Sequence, residues 1–263
     1  MNALAARRRH PAAIAILLLL GLVVVGGAYS LLAPKTAEAS ATALSADDVA
    51  QGRALFLANC ATCHGLQAEG TKAGPTLVGV GAASVDFQVS TGRMPLSQPN
   101  VQAPSSDEVK FSSEQIAAMA AYVATLGPGP AVPPEEYTSG EGGDVARGGE
   151  LFRVNCAMCH NFAGSGGALS RGKYAPSLKN ADGRIVYEAM VTGPQSMPVF
   201  NDTNISPEGK NDIVAFLKTT YDQQNVGGMN LGNLGPVSEG MFIWIFGLGL
   251  MVACAIWLGS KSA

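Results

Sequence analysis

One pentapeptide occurs twice in the chain, as Cys60-Ala61-Thr62-Cys63-His64 and as Cys156-Ala157-Met158-Cys159-His160. In each, two thiols are spaced to add across the two vinyl groups of a haem, and the histidine that follows is placed to ligate its iron. Cys60 and Cys63 therefore read as the covalent anchors of one haem with His64 as its proximal ligand, and Cys156, Cys159 and His160 as the same set for a second. Whatever fold the chain adopts has to close around two such groups.

Two other chemistries use paired cysteines. A zinc site needs its second pair within a few tens of residues, and here it comes far downstream. A thioredoxin-like dithiol needs a surrounding βαβ pattern, which neither copy has. Histidine usage favours haem: the chain holds 3 histidines, two of them directly behind the cysteine pairs and the third, His10, in a basic leader. Four of the 5 cysteines are used by the motifs. The fifth, Cys254, lies in an apolar run and reads as a small packing residue.

The motif belongs to a longer repeat. Asp48-Val49-Ala50-Gln51-Gly52, Leu55-Phe56 and Asn59-Cys60 recur as Asp144-Val145-Ala146-Arg147-Gly148, Leu151-Phe152 and Asn155-Cys156, always 96 positions on. Each leader reads as an amphipathic helix with an acid near its start, where the helix dipole favours negative charge. Gly52 and Gly148 would let another helix approach closely or are simply tolerated there, and spacing alone does not choose. Downstream, Gly74-Pro75-Thr76-Leu77 answers to Ala175-Pro176-Ser177-Leu178, and Gly92-Arg93-Met94-Pro95 to Gln195-Ser196-Met197-Pro198. A closing helix follows in both, from about Ser112 to Leu126 and from about Ser206 to Tyr221, with Ser112 or Ser113, and Ser206 before Pro207, as candidate caps.

Hydrophobicity is concentrated outside these units. Residues 12–32 form an apolar run behind Arg7-Arg8-Arg9, long enough to span a bilayer, and 240–258 form a second before Lys261. The arginines place the leader, 1–11, in the cytoplasm, so everything between the runs is extracytoplasmic, the compartment in which bacteria attach c-type haem. Phe242, Trp244 and Trp257 suit interfacial belts and the 259–263 tail a cytoplasmic end. Ala37-Glu38-Ala39 resembles a cleavage site, so the first run is either a removed signal or, as its length favours, a retained anchor. Gly249 and Ala253 make a small-xxx-small face for a partner helix, or an ordinary lipid-facing surface.

The resulting order is a tether at 33–44, a first domain at 45–127, a Gly/Pro linker at 128–143, a second domain at 144–224 and a tether at 225–239. Each domain has roughly 80 residues, small for an autonomous core, so a covalent haem would supply missing apolar volume. The first domain has four basic and seven acidic residues and the second eight of each, mostly expected as solvated surface that orients docking.

A low-spin electron carrier needs a second strong axial ligand, and methionine sulfur, which raises the potential, is the usual partner of histidine. Met94 and Met197 occupy equivalent places in the repeat, each in a loop ahead of a proline. Met119 and Met190 read as core, and Met158 lies on the wrong face of its own motif. No nucleophile with a base and no phosphate-binding loop with a lysine remains, which leaves electron relay as the chemistry.

Entering helix, Cys-x-x-Cys-His, proline turn, Met-Pro loop and closing helix together resemble the class I cytochrome c fold across both domains. The resemblance implies a mainly α chain of two tandem class I cytochrome c domains flanked by transmembrane helices, carrying two covalently bound haem c groups. It also implies that the carbonyls of Pro75 and Pro176 accept the Nδ1–H of His64 and His160, fixing the rings from outside the coordination sphere. Two such domains ahead of a final span, with the tail Ser238-Glu239-Gly240-Met241-Phe242-Ile243-Trp244, are similar to the dihaem subunit of actinobacterial menaquinol–cytochrome c reductases, the cytochrome bcc complexes. That resemblance implies a cytochrome b subunit and a Rieske iron–sulfur subunit as partners, electrons entering from the Rieske protein and leaving to the copper centre of an aa3-type cytochrome c oxidase, membrane lipid around the spans, and no nucleic acid. A dihaem subunit of a cbb3-type oxidase, typically anchored only at its amino end, and a haem-based ligand sensor are the alternatives.

Overall fold

The computed structural model describes residues 11–32, 45–98, 100–162, 164–222, 231 and 236–261. The arginine-rich leader, the 33–44 tether with Ala37-Glu38-Ala39, and most of the 225–239 tether lie outside the described residues.

Helix α1, Pro11–Leu32, stands by itself as an apolar rod of 22 residues. Among the described residues, the helix that is long and apolar enough to cross a membrane is the carboxy-terminal one, Val237–Lys261, with a mean hydropathy of 2.3 and no part of it buried. The apolar stretch within α1, Ala15–Ala28, is shorter.

The first domain begins at α2, Ala46–Asn59. Its start is a capping box: Ser45 Oγ accepts from Asp48 N at 3.0 Å, and Asp48 Oδ2 accepts from Ser45 N. After one kinked residue, Cys60, comes the single turn α3, Ala61–His64, which ends at Gly65 with φ of 85°. Helix α4, Ala82–Ser90, and the closing helix α5, Ser113–Ala124, complete the domain. Ser112 is the cap of α5, and Gln115 returns the bond from its side chain at 3.0 Å.

The second domain repeats this plan. Helix α6, Val145–Asn155, is capped by Asp144, which accepts from the amides of Ala146 and Arg147. Then come α7, Ala157–His160, and a two-stranded antiparallel ribbon of β1, Gly167–Ala168, and β2, Tyr174–Ala175. Helices α8, Gly183–Thr192, and α9, Pro207–Asp222, follow.

In each domain the leader helix crosses the closing helix with no room for a side chain between them. A Cβ on Gly52 would meet the Ala118 carbonyl oxygen at 1.9 Å, and one on Gly148 would meet that of Asp212 at 1.9 Å. Both glycines are thus close-approach residues. Beside each crossing an aromatic pair packs, Phe56 with Tyr122 at 5.3 Å between ring centres and Phe152 with Phe216 at 5.5 Å. Met119 is buried in the first core and Met190 in the second.

Residues 128–143 are tied to both domains. Pro130 O accepts from Ala83 N at 3.1 Å, Asn211 Oδ1 accepts from Gly140 N at 2.8 Å, and Ser139 O accepts from Lys218 Nζ at 2.6 Å. The domains also touch directly, α4 against α8. The last segment runs as α10, Pro236–Ile243, one π-helical turn at Trp244–Leu248, and α11, Gly249–Lys261. It begins before residue 240, where Pro236 opens the helix, and runs beyond 258 to Lys261, which lies over the Trp257 ring at 5.4 Å.

Candidate haem sites

The kinked cysteine that joins each leader helix to the next turn turns the motif inward. The amides of Cys63 and His64 both return to Cys60 O, and those of Cys159 and His160 to Cys156 O. This brings His64 and His160 to the edge of their cores, each 9% exposed. The ring of His64 stands with Nδ1 2.7 Å from Pro75 O, and His160 Nδ1 lies 2.9 Å from Pro176 O. A carbonyl can only accept, so each Nδ1 carries the proton and each Nε2 lone pair is left for a metal. Burial lowers the pKa of His160, against the pull of the Pro176 carbonyl, which keeps the imidazole neutral as ligation requires.

Cys60 and Cys156 are not held as thiolates. Burial, and secondarily Cys159, pushes the Cys156 thiol up to about 12; the same two kinds of cause raise Cys60. Among the described residues no three of His, Cys, Asp and Glu gather as a metal site.

On the second domain a cavity of about 640 Å³ opens over the motif. Cys156, Cys159, His160 and Met197 all line it, with Phe152, Ile213 and Leu217 behind. Its volume, its apolar walls and the His and Met donors fit a haem. Met190, although it belongs to the core, and Met158 line the same cavity, so three methionines border this space. Met158 is 90% exposed. In the first domain Met94 and Cys60 pack on one cluster with Leu55, Val85 and Phe111, around Val89, Ile116 and Met119.

The domain boundary adds features that sequence spacing did not reveal. Domain 1 supplies part of the wall of the second cavity, through Phe87, Ser90, Thr91, Arg93 and Gln102. Gln102 pairs with the backbone of Tyr174 in both directions, Nε2 to Tyr174 O and Tyr174 N to Oε1, each at 2.9 Å. Arg184 of α8 pairs with Asp86 of α4 and approaches Glu188 to 3.9 Å. Glu188 is wholly buried, and burial pushes its carboxyl up to about 8, with Arg184 opposing. Not every charge is on the surface: Lys210 is also fully buried, donating to Asp202 and to Ile205 O at 2.6 Å each. A Gln or Arg in a loop carries no periodic signal that would mark it in advance.

Comparison with known proteins separates the domains and then joins them. Residues 49–127 match the family described as cytochrome c, and residues 143–217 the family described as cytochrome C oxidase, cbb3-type, subunit III. Cytochrome c domains of this kind carry covalently bound haem c. The cytochrome c6 of Limnospira maxima is 34% identical over 83 residues, 28% of this chain and 91% of that one. The cytochrome bc1 complex cytochrome c subunit of Mycobacterium tuberculosis is 44% identical over 253 residues, covering 94% of this chain and 90% of its own. The protein of the same name from Corynebacterium diphtheriae is 42% identical over 269 residues, 97% of this chain and 95% of its own. Similarity at that level through both domains and the terminal segments exceeds what a shared cytochrome c domain alone would produce, and the chain belongs to the family of cytochrome c subunits of the cytochrome bc1 complex.

Proposed function

We propose that this chain is the dihaem electron relay of a membrane-bound quinol–cytochrome c reductase. Electrons enter from the Rieske iron–sulfur subunit, which sits beside a cytochrome b subunit, and leave to the copper centre of an aa3-type oxidase. The observation that carries the reading is the second cavity, where His160, held by Pro176, and Met197 face one space between two covalent anchors. His64 held by Pro75, with Met94, is the matching set in domain 1.

When bound, haem c supplies the one-electron couple. The residues of this chain would hold each imidazole in one tautomer and would offer a thioether sulfur as a second ligand to the iron. Docking of α4 on α8 keeps the two sites at a set separation, so passage between them does not wait for a linker to bring them together. The apolar helix Val237–Lys261 anchors the relay in the membrane, and α1 is proposed as a second span that leaves both domains extracytoplasmic.

The test is a reduced-minus-oxidised spectrum of the protein affinity-purified from native membranes in mild detergent. Bands of b-type and a-type haem beside the c-type signal support the relay. A c-type signal alone, in detergent shown to preserve membrane complexes, would sink it. The cbb3 reading is favoured by the family match at 143–217 only, while the carboxy-terminal helix and the full-length similarity to bc1 subunits weigh against it.

A further inference from the structure

We infer that the haem of domain 2 is held between both domains, with Arg93 and Ser90 of domain 1 presenting a cation and an unpartnered hydroxyl to its polar edge. The inference rests on the dihaem reading above and adds to it that one domain tunes the other's haem.

Three observations carry it. First, the cavity that contains His160 and Met197 is not closed by its own domain: Phe87, Ser90, Arg93 and Gln102 complete its wall. Second, that wall is locked in place. Gln102 holds the Tyr174 backbone by two hydrogen bonds of 2.9 Å, and Tyr174 opens the strand leading to Pro176. Third, two polar groups on the wall, Ser90 and Arg93, are left without partners that would explain them. Among the described residues, Ser90 Oγ is buried with no hydrogen-bond partner, and the half-buried Arg93 guanidinium rests on the Phe87 ring at 4.8 Å with no carboxylate paired to it. A haem brings two carboxylates into this largely apolar pocket, and a charged edge of that kind calls for donors.

The placement of Arg93 has a consequence for transfer. Its neighbour Met94 is the proposed distal ligand in domain 1, so one tripeptide, Arg93-Met94-Pro95, touches both sites. Other charges facing the cavity are Asp107 of domain 1 and Lys179 and Asp182 of domain 2. Against that near-balanced set, a cation on the wall favours the ferrous over the ferric state, since the ferric site carries one more positive charge.

The experiment is a spectroelectrochemical titration of the full-length protein in its native complex. Haem content per chain is measured first by pyridine haemochrome: one haem instead of two would overturn the dihaem reading itself, whereas two haems leave the inference to the titration. The wave belonging to domain 2 is identified as the one that moves in Met197→His. Arg93→Gln should raise the ferric-to-ferrous ratio of that haem at fixed ambient potential roughly tenfold, equivalent to about 59 mV for one electron. Arg93→Lys, which keeps the charge, should restore most of it. Arg53→Gln, which removes an exposed cation of the same domain on α2, where neither it nor its chain neighbours line the cavity, should leave it unchanged. An unshifted domain 2 wave in Arg93→Gln, or an equal shift in Arg53→Gln, would overturn the inference.

Discussion

Gly148 lies directly beneath the backbone carbonyl of Asp212, so close that a Cβ on the glycine would stand 1.9 Å from that oxygen. Gly52 bears the same relation to Ala118. The side chain of Asp212 braces the same crossing, accepting from Asp144 N at 2.7 Å and from Arg147 Nε at 2.5 Å. The leader helix, its cap and the closing helix are therefore one unit, and the haem motif hangs from its end.

Gly148→Ala should force that crossing apart. The expected loss is about 3 kcal/mol of domain stability, at the upper end of overpacking costs. Thermal unfolding of the holoprotein, with haem content measured alongside, should show a lower midpoint and reduced occupancy; a midpoint equal to wild type would refute the close-approach reading.

Met190 and Met197, which both line the second cavity, are separable. Met197→Leu should leave the haem attached, abolish the sulfur-to-iron charge-transfer band of that ferric haem and open the ferrous form to carbon monoxide. Met190→Leu, a swap of similar volume in the core costing about 1 kcal/mol, should keep the band. Loss of the band in Met190→Leu but not in Met197→Leu would reverse the ligand assignment.

Glu188 makes stability depend on pH. Its carboxyl is raised from 4.5 to about 8 by burial, so the folded state holds a proton that the unfolded chain releases between those values. The contribution is fully present below about 4.5 and is lost as pH rises through about 8. Glu188→Gln should match wild type near pH 5 and exceed it at pH 9 by on the order of 1–3 kcal/mol. Denaturant titrations at the two pH values read this directly, and parallel pH dependence of the two proteins would contradict it.

Membrane attachment distinguishes the two apolar segments. A chain ending before Pro236 loses Val237–Lys261 and should still pellet with alkali-washed membranes if α1 is retained as an anchor. Release into the wash would show that the amino-terminal segment is removed and that the last helix is the sole attachment.

Much of the domain plan is local and could be read from spacing. Ser45 with Asp48 and Ser112 with Gln115 are capping boxes written in four consecutive residues, and Pro207 sits just inside the start of its helix. The repeat at a constant offset makes the two leader helices and their motifs equivalent before any packing is known. The role of Gly52 was open at that level, because a glycine looks the same in a helix whether or not a carbonyl lies above it.

Cysteine spacing, capping residues and hydrophobic runs are properties of neighbours along the chain, and they alone specify two c-type haem motifs in repeated helical units and an apolar terminal helix. Packing across the domain boundary decided the rest: that Gln102 meets Tyr174, that Arg93 enters the other domain's cavity, and that Glu188 is sealed beside Arg184. Gln102 and Tyr174 are 72 positions apart, and no local periodicity links them. Only the mutual burial of α4 and α8 selects which faces meet, and burial of that kind is a property of the closed surface, not of any stretch of the chain.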